Sequence, residues 1–341
     1  MLRIQMFSSA TKVKGQGVGS AYLELINLLK KYYPNELEVR INELTKAPIS
    51  HYHTVDFKFF LSTFLPYRGV KVGYVHFLPE TLEGSLKLPW IAQKVFYKYL
   101  IRFYKRMDCL VVVNPMFISK LEEYGINRNK ITYIPNFVSK DEFYVIDEDK
   151  SAIRQSLNLD DKFTIMGAGQ VQERKGVFDF IELAKRNPQM QFVWVGGFSF
   201  GKLTDGYNEL KRVIDNPPQN LKFPGIVSRA EMNRYYNASD VYFLPSYNEL
   251  FPMTVLEAFN TQTPVVLRDL ELYHSIIEGY FEPVKNKEDM QVVLQKLMND
   301  NSKLKDLAKK SKQAAQYYSE ERLAKVWFDF YQSLLEDQND I

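Results

Sequence analysis

The chain has 341 residues, enough for two domains of ordinary size, and its composition (45% hydrophobic, 25% charged, 14% aromatic) is that of a globular protein, not a disordered or fibrous one. A single cysteine, Cys109, excludes an internal disulfide and any multi-cysteine metal site. The net charge of +3 hides a division: residues 1–140 hold 20 Lys and Arg against 10 Asp and Glu, whereas residues 141–341 hold 24 against 31, which points to an anionic partner for the first half.

The opening Met1-Leu2-Arg3-Ile4-Gln5-Met6-Phe7 reads as a first strand, 2–7, and lacks the apolar core and cleavage site of a secretion signal. No apolar stretch approaches the roughly 20 residues of a membrane-spanning helix. The expected location is therefore the cytoplasm, with any membrane attachment peripheral and on the inner face. Lys14-Gly15-Gln16-Gly17-Val18-Gly19 follows, where Gly17 and Gly19 permit close backbone approach to a ligand; a plain tight turn accounts for them equally well. A helix over 18–33 and strands near 37–42 and 70–75 come next, and His76 falls just past the last of these.

A helix is expected over 87–106. Its cations Lys94, Lys98, Arg102 and Lys105 form one stripe, with Phe96, Tyr97, Tyr99, Phe103 and Tyr104 between them. A basic, aromatic amphipathic helix suits an anionic membrane surface, and the segment from Lys58 to Arg68 extends the same character. The plainer alternative is a core helix with a solvated basic face. Nucleic acid is not expected as a partner, because no binding module or basic tail accompanies the charge. Strands at 109–113 and 131–134 flank a helix at 115–124, and Cys109, within an apolar run, reads as a structural thiol. From Asp141 to Asp160 the chain is a polar connector. Its Asp147-Glu148-Asp149 does not follow a strand, so no metal is expected there.

The alternation then restarts, with strands at 163–167, 191–195, 221–223, 241–244 and 264–267 and helices near 176–186, 206–215, 229–236 and 253–260. The C-terminus is expected to be helical over about 302–337. Strands alternating with helices predict parallel sheets, and in such sheets ligands bind beyond the carboxyl ends of the strands.

Two segments of this half carry chemistry. In Gly167-Ala168-Gly169-Gln170-Val171-Gln172-Glu173-Arg174-Lys175-Gly176, a strand ends in a turn that opens a helix, so backbone amides and two cations can meet a phosphate. Gln172 stands where a dinucleotide fingerprint needs a third glycine, and Gly176 where a P-loop needs Ser or Thr. In Pro245-Ser246-Tyr247-Asn248-Glu249-Leu250-Phe251-Pro252-Met253-Thr254-Val255-Leu256-Glu257-Ala258, Glu249 lies beside a helix N-terminus and Glu257 one to two turns into the helix. Both carboxylates can accept bonds from vicinal hydroxyls; as a lone pair they read first as a cap and a solvated helix face.

Together these segments resemble the retaining glycosyltransferases of family 4, with the GT-B fold. Glu249 and Glu257 match that family's pair of glutamates eight apart, and Arg174 and Lys175 its basic pair. Phe223-Pro224-Gly225, Ala238-Ser239-Asp240-Val241 and Ile134-Pro135-Asn136 also fit. The resemblance implies an α/β protein of two Rossmann-like, doubly wound domains with an interdomain cleft. It implies an acceptor- and membrane-facing domain over 1–145, a nucleotide-sugar domain over 146–318, and a C-terminal helix, 319–341, packing back on the first. Arg174 and Lys175 would then neutralise the leaving diphosphate, Glu249 would hold the donor sugar and Glu257 the ribose. Ile226 would meet the base, and Gly169, Phe251, Pro252, Met253 and Thr254 would line the donor pocket. Gly17 and His76 would reach donor or acceptor from the first domain. In place of the Gly-Phe-Gly of many relatives stands Leu250-Phe251-Pro252, which removes one backbone donor.

No cofactor or metal is implied, since fixed donors can stabilise the departing phosphate. The segments Gln5–Ser9, Lys14–Gly19 and Tyr74–Phe77 look like the bacterial glycolipid synthases of lipoteichoic-acid anchors. The implied reaction is hexosyl transfer, galactose or glucose, from a UDP-sugar to monoglucosyl-diacylglycerol. A soluble family member acting on a polysaccharide or protein, or a non-catalytic membrane-bound partner, are the alternatives.

Overall fold

The computed structural model describes residues 1–10, 17–82, 89–198, 201, 204 and 206–339. They form two compact units: residues up to 137 together with 319–339, and residues 138–318. Each is built on a six-stranded, wholly parallel sheet.

In the first unit the strands are β1 (Leu2–Phe7), β2 (Leu37–Ile41), β3 (Ile49–Tyr52), β4 (Val70–Val75), β5 (Cys109–Val112) and β6 (Ile131–Tyr133), in the order β2-β1-β3-β4-β5-β6. The chain winds from β1 to one side and returns to the other at β3, so the order reverses between these two strands. Ile4, Met6, Ile49, Val72, Val75, Val111 and Val112 are fully buried, as strands covered on both faces require. The C-terminal helix Glu320–Asn339 packs within this unit against the helix Gly17–Tyr32. Phe328 stacks on Tyr33 at 4.0 Å between ring centroids, Lys31 pairs with the buried Glu320 at 3.1 Å, and Tyr331 Oη lies 2.8 Å from His51 Nδ1.

In the second unit β7 (Thr164–Ala168), β8 (Gln191–Val195), β9 (Leu221–Gly225), β10 (Val241–Leu244), β11 (Val265–Arg268) and β12 (Glu282–Val284) are ordered β12-β11-β10-β7-β8-β9. Here the reversal falls between β7 and β10. Pro224 is tolerated in β9 because β9 is an edge strand and its missing amide interrupts no inner ladder.

Several elements differ from the sequence expectation. β3 reads Ile-Ser-His-Tyr and shows neither alternation nor an apolar run, yet all four residues are buried. β12 and the helices Phe57–Ser62, Lys150–Ser156 and Lys287–Asn299 are likewise additions. The stretch expected to be helical over about 302–337 consists of two helices, Asn301–Tyr317 and Glu320–Asn339. The connector is fastened: Asp149 caps the helix Lys150–Ser156, and Arg154 from that helix is buried against Asp161 and Asp240. Lys14, Gly15 and Gln16 and the start of the helix expected over 87–106 lie outside the described residues; that helix is described as Trp90–Lys105.

Candidate active site

The carboxyl ends of β7 and β10, where the second sheet reverses, carry the charged residues. After β7 a single 3-10 turn, Glu173–Lys175, leads to Gly176 and the helix Val177–Arg186. Gly176 is in the left-handed region (φ 71°), and a Cβ there would overlap the carbonyl of Pro245, so only glycine lets the two loops meet. After β10 the loop from Pro245 to Phe251 runs into the helix Met253–Asn260, with Pro252 as its N-cap.

The two loops are stitched together. Tyr247 N donates to Arg174 O at 2.8 Å and Arg174 Nη1 donates to Asn248 O at 2.6 Å. Lys175 Nζ donates to Glu249 Oε1 at 2.5 Å, and Arg174 Nη1 lies 4.0 Å from Glu249 Oε2. Lys175 and Glu249 are nearly sealed from solvent, at 12% and 6% side-chain exposure, so their charges act in a medium of low screening. Burial lowers the Lys175 ammonium below its ordinary pKa, with the Glu249 carboxylate opposing the shift. Burial also acts to raise Glu249, but Lys175 and Arg174 outweigh it and leave the carboxyl below its usual range. Glu249 is therefore held as a carboxylate against the Lys175 side chain.

Beyond it, the loops after β7, β8 and β9 form a continuous backbone floor. Gly169 N donates to Val195 O, Val171 N to Gly197 O, and Gly196 N to Gly225 O, at 2.9 to 3.0 Å. Gly169, Gly196 and Gly225 all have positive φ, and a Cβ on Gly196 would overlap Gly169 O. Ile226 stands exposed at the end of this floor, its side chain against Gly197.

Glu257 lies deeper, on the buried face of the helix Met253–Asn260. Its Oε2 accepts from Tyr236 Oη at 2.9 Å, and the same hydroxyl reaches Thr254 O. Burial pushes the Glu257 carboxyl up to about 7. Thr254 Oγ1 accepts from Tyr242 Oη at 2.7 Å, and Met253 and Phe251 are buried, Phe251 against Tyr318. Among the described residues no group of three or more His, Cys, Asp or Glu is arranged to hold a metal. Within the expected Asp147–Asp149 cluster, Glu148 pairs with Arg234 and Asp149 is the helix cap.

In the first unit, His76 follows β4 and is buried with its ring 4.2 Å from Tyr74. Two further histidines join it that no local signal marked. His51 is in β3 and His53 just beyond, with ring centroids 4.2 Å apart and His53 5.9 Å from His76. Burial lowers all three, His51 and His76 to about 3, so the cluster is neutral at physiological pH. Gly17 opens the helix Gly17–Tyr32 and is exposed.

The basic helix Trp90–Lys105 turns a different face outward from the one expected. Phe103 and Tyr104 are core residues, and Tyr99 donates to Val55 O. Trp90, Ile91 and Val95 are instead the exposed apolar residues, interleaved with Lys94 and Lys98. The rings of Phe57 and Phe60, on the helix Phe57–Ser62, lie 6.4 and 5.4 Å from that of Tyr99, and Phe57, Leu61 and Phe64 are exposed as well. No helix among the described residues is long and apolar enough to cross a membrane.

Two six-stranded parallel sheets, with cations after the first strand of the second sheet facing a glutamate after its fourth, define a GT-B glycosyltransferase. Residues 21–142 match the model described as Glycosyltransferase Family 4, and residues 149–314 match that of Glycosyl transferases group 1. The chain belongs to glycosyltransferase family 4 and is an enzyme of that class. It is 49% identical over 334 residues to the alpha-galactosylglucosyldiacylglycerol synthase of Streptococcus pneumoniae, covering 97% of this chain and 89% of that one. It is 34% identical over 182 residues to the processive diacylglycerol alpha-glucosyltransferase of Acholeplasma laidlawii, about half of each chain. The crystal structure of Anabaena HepE with UDP and glucose shares the fold, with a TM-score of 0.78 at 16% identity over 98% of this chain and all of that one.

Proposed function

We propose that this enzyme transfers a galactosyl residue, with retention, from UDP-galactose to glucosyl-diacylglycerol at a membrane surface. The carrying observation is the buried Lys175–Glu249 pair beside Arg174 at the reversal of the second sheet. Arg174 and Lys175 bind the diphosphate, and their charge matters most as the bond from the anomeric carbon to the phosphate oxygen breaks and negative charge collects on that oxygen. Glu249, held by Lys175, receives hydroxyls of the hexose. Gly169 and the floor ending at Ile226 take the phosphate and the base, and Glu257 takes the ribose. The acceptor hydroxyl forms the new bond to the anomeric carbon while its proton passes to the departing phosphate oxygen. The donor class is supported by the UDP bound in the structural relative, and the acceptor by the similarity to the galactosylglucosyldiacylglycerol synthase.

His76 and Gly17 serve the acceptor side from the first unit. The exposed patch of Trp90, Ile91, Val95, Phe57, Leu61 and Phe64, with Lys94, Lys98 and Lys58 around it, seats the enzyme on an anionic leaflet, rings at headgroup depth and ammoniums on phosphate. On this reading the protein acts peripherally on the inner face, in the supply of lipoteichoic-acid anchors.

The test is transfer of labelled hexose from UDP-galactose and UDP-glucose, separately, into vesicles containing diacylglycerol or glucosyl-diacylglycerol. Label in the glycolipid from UDP-galactose alone is expected. Transfer only to a water-soluble saccharide, with the protein left in the supernatant of sedimented anionic vesicles, would overturn the acceptor.

A further inference from the structure

Asp179, Arg268 and Tyr247 come from three separate elements and meet behind the loop that carries Glu249. Asp179 is in the first turn of the helix Val177–Arg186 and only 6% exposed, an uncommon place for a carboxylate without a partner. It has two close ones: Arg268 Nη2 donates to Asp179 Oδ2 at 2.5 Å and Tyr247 Oη donates to the same oxygen at 2.6 Å. Arg268, the last residue of β11, also donates from Nε to Pro245 O at 2.9 Å and lies over the Tyr247 ring at 4.0 Å. The guanidinium thus grips the glutamate loop three times: at its first carbonyl, on the face of its aromatic ring, and through Asp179 at its hydroxyl. A planar, forked cation can do this and an ammonium cannot.

We infer that Asp179, Arg268 and Tyr247 form a positioning clamp that sets Glu249 for the donor hexose. None of the three is a catalytic residue; the clamp acts through the loop, and the inference rests on the assignment of Glu249 to the hexose. The diphosphate cations Arg174 and Lys175 are on the other loop, joined to this one by Tyr247 N to Arg174 O and by Arg174 Nη1 to Asn248 O, neither of which a clamp side chain makes. Loss of the clamp therefore falls on the sugar, not on the diphosphate. A displacement of about 1 Å at a substrate-holding group costs on the order of 100-fold in rate.

The experiment uses the full chain and three variants, Arg268→Gln, Tyr247→Phe and Arg268→Lys, with UDP affinity measured by calorimetry alongside kcat and KM for UDP-hexose. Free hexose released to water is the readout if no lipid acceptor is used, so that a failed acceptor assignment is distinguishable from a failed clamp. Arg268→Gln is expected to lower kcat/KM roughly 30- to 100-fold, with UDP affinity held within about twofold and the preference between UDP-galactose and UDP-glucose narrowed. Arg268→Lys keeps the charge toward Asp179 but loses the fork, and is expected to recover only part. Tyr247→Phe keeps the ring, removes one hydroxyl from a half-exposed side chain, and carries the test if Arg268→Gln does not fold. Its expected loss is roughly 5- to 10-fold. Wild-type kcat/KM in both Arg268→Gln and Tyr247→Phe would overturn the clamp, as would parallel loss of UDP affinity and turnover.

Discussion

Where the second sheet reverses, between β7 and β10, the structure places two cations and a carboxylate, ion-paired, nearly buried and held by crossing backbone bonds. Where the first sheet reverses, between β1 and β3, the described residues show no ion pair of that kind: His53 N bonds back to Phe7 O, Asp56 accepts from Ser9 and Thr54, and His51, His53 and His76 are buried and neutral. The helix Trp90–Lys105 of that unit carries a row of exposed cations, Lys94, Lys98, Arg102 and Lys105. On the proposed function, one winding rule serves two chemistries. A departing diphosphate needs fixed charge in a poorly screened site, whereas a neutral glycolipid hydroxyl needs shape and uncharged polar groups.

The sharpest way to break this comparison is to remove charge from the second unit. Lys175→Ala is expected to lower kcat by roughly 100- to 1000-fold with the fold intact, the range seen for loss of one preorganised charge-stabilising donor. Steady-state kinetics with circular dichroism on the same sample checks it; full turnover would remove Lys175 from the leaving-group role.

The first unit is tested by adding charge. The three histidines have folded pKa values below the ordinary 6.5, so the unfolded chain takes up protons that the folded unit refuses as the pH falls below that value. Stability is complete above about pH 6.5 and is lost progressively toward pH 3, by up to about 1.4 kcal/mol per pH unit for each imidazole. Urea titrations between pH 8 and 4.5 should show this slope. His53→Phe, which keeps the ring beside Tyr22, should reduce it by about one third of the three-histidine value. An unchanged slope would mean the cluster is not held neutral.

Glu257 opposes that slope in folding, since its contribution is lost as the pH rises from about 4.5 to 7, and gives a further effect in binding. Its carboxyl is pushed up to about 7, and on the proposed function a ribose diol donates to the ionised form. UDP affinity should weaken as the pH falls below 7, by up to about tenfold per unit, and Glu257→Gln should be nearly flat with pH. Calorimetry with UDP over pH 6 to 8 decides it. The smallest expected effect is on the outside of the first unit: Trp90→Ala should reduce partition onto anionic vesicles roughly 5- to 10-fold while leaving UDP affinity unchanged.

How much of this was legible in the sequence follows from the range of each interaction. The turn Gly167–Gly176 and the loop before the helix Met253–Asn260 are local patterns: a strand, a short loop with glycine or proline, then helix periodicity. They placed Arg174, Lys175, Glu249 and Glu257 at the carboxyl ends of strands without reference to the rest of the chain. β3 was invisible because Ile-Ser-His-Tyr has no strand signal of its own and is a strand only by pairing with β1 and β4. For the same reason His51 and His53 could not be joined to His76. The outward face of the helix Trp90–Lys105 was misread because Phe103 and Tyr104, aromatic in sequence, are drawn into the core by neighbours that periodicity does not name.

By itself, then, the sequence determined two doubly wound α/β halves, the division of charge between them, and the residue types at each strand end. Those features depend on contacts within a few residues and on composition. The tertiary structure alone decided that β7 lies beside β10, so that Lys175 meets a glutamate 74 positions away, and that Asp179, Arg268 and Tyr247 close on one oxygen behind it. Strand order in a parallel sheet is set by crossover packing over the whole domain, and a side chain at one strand end carries no mark of which strand will be its neighbour.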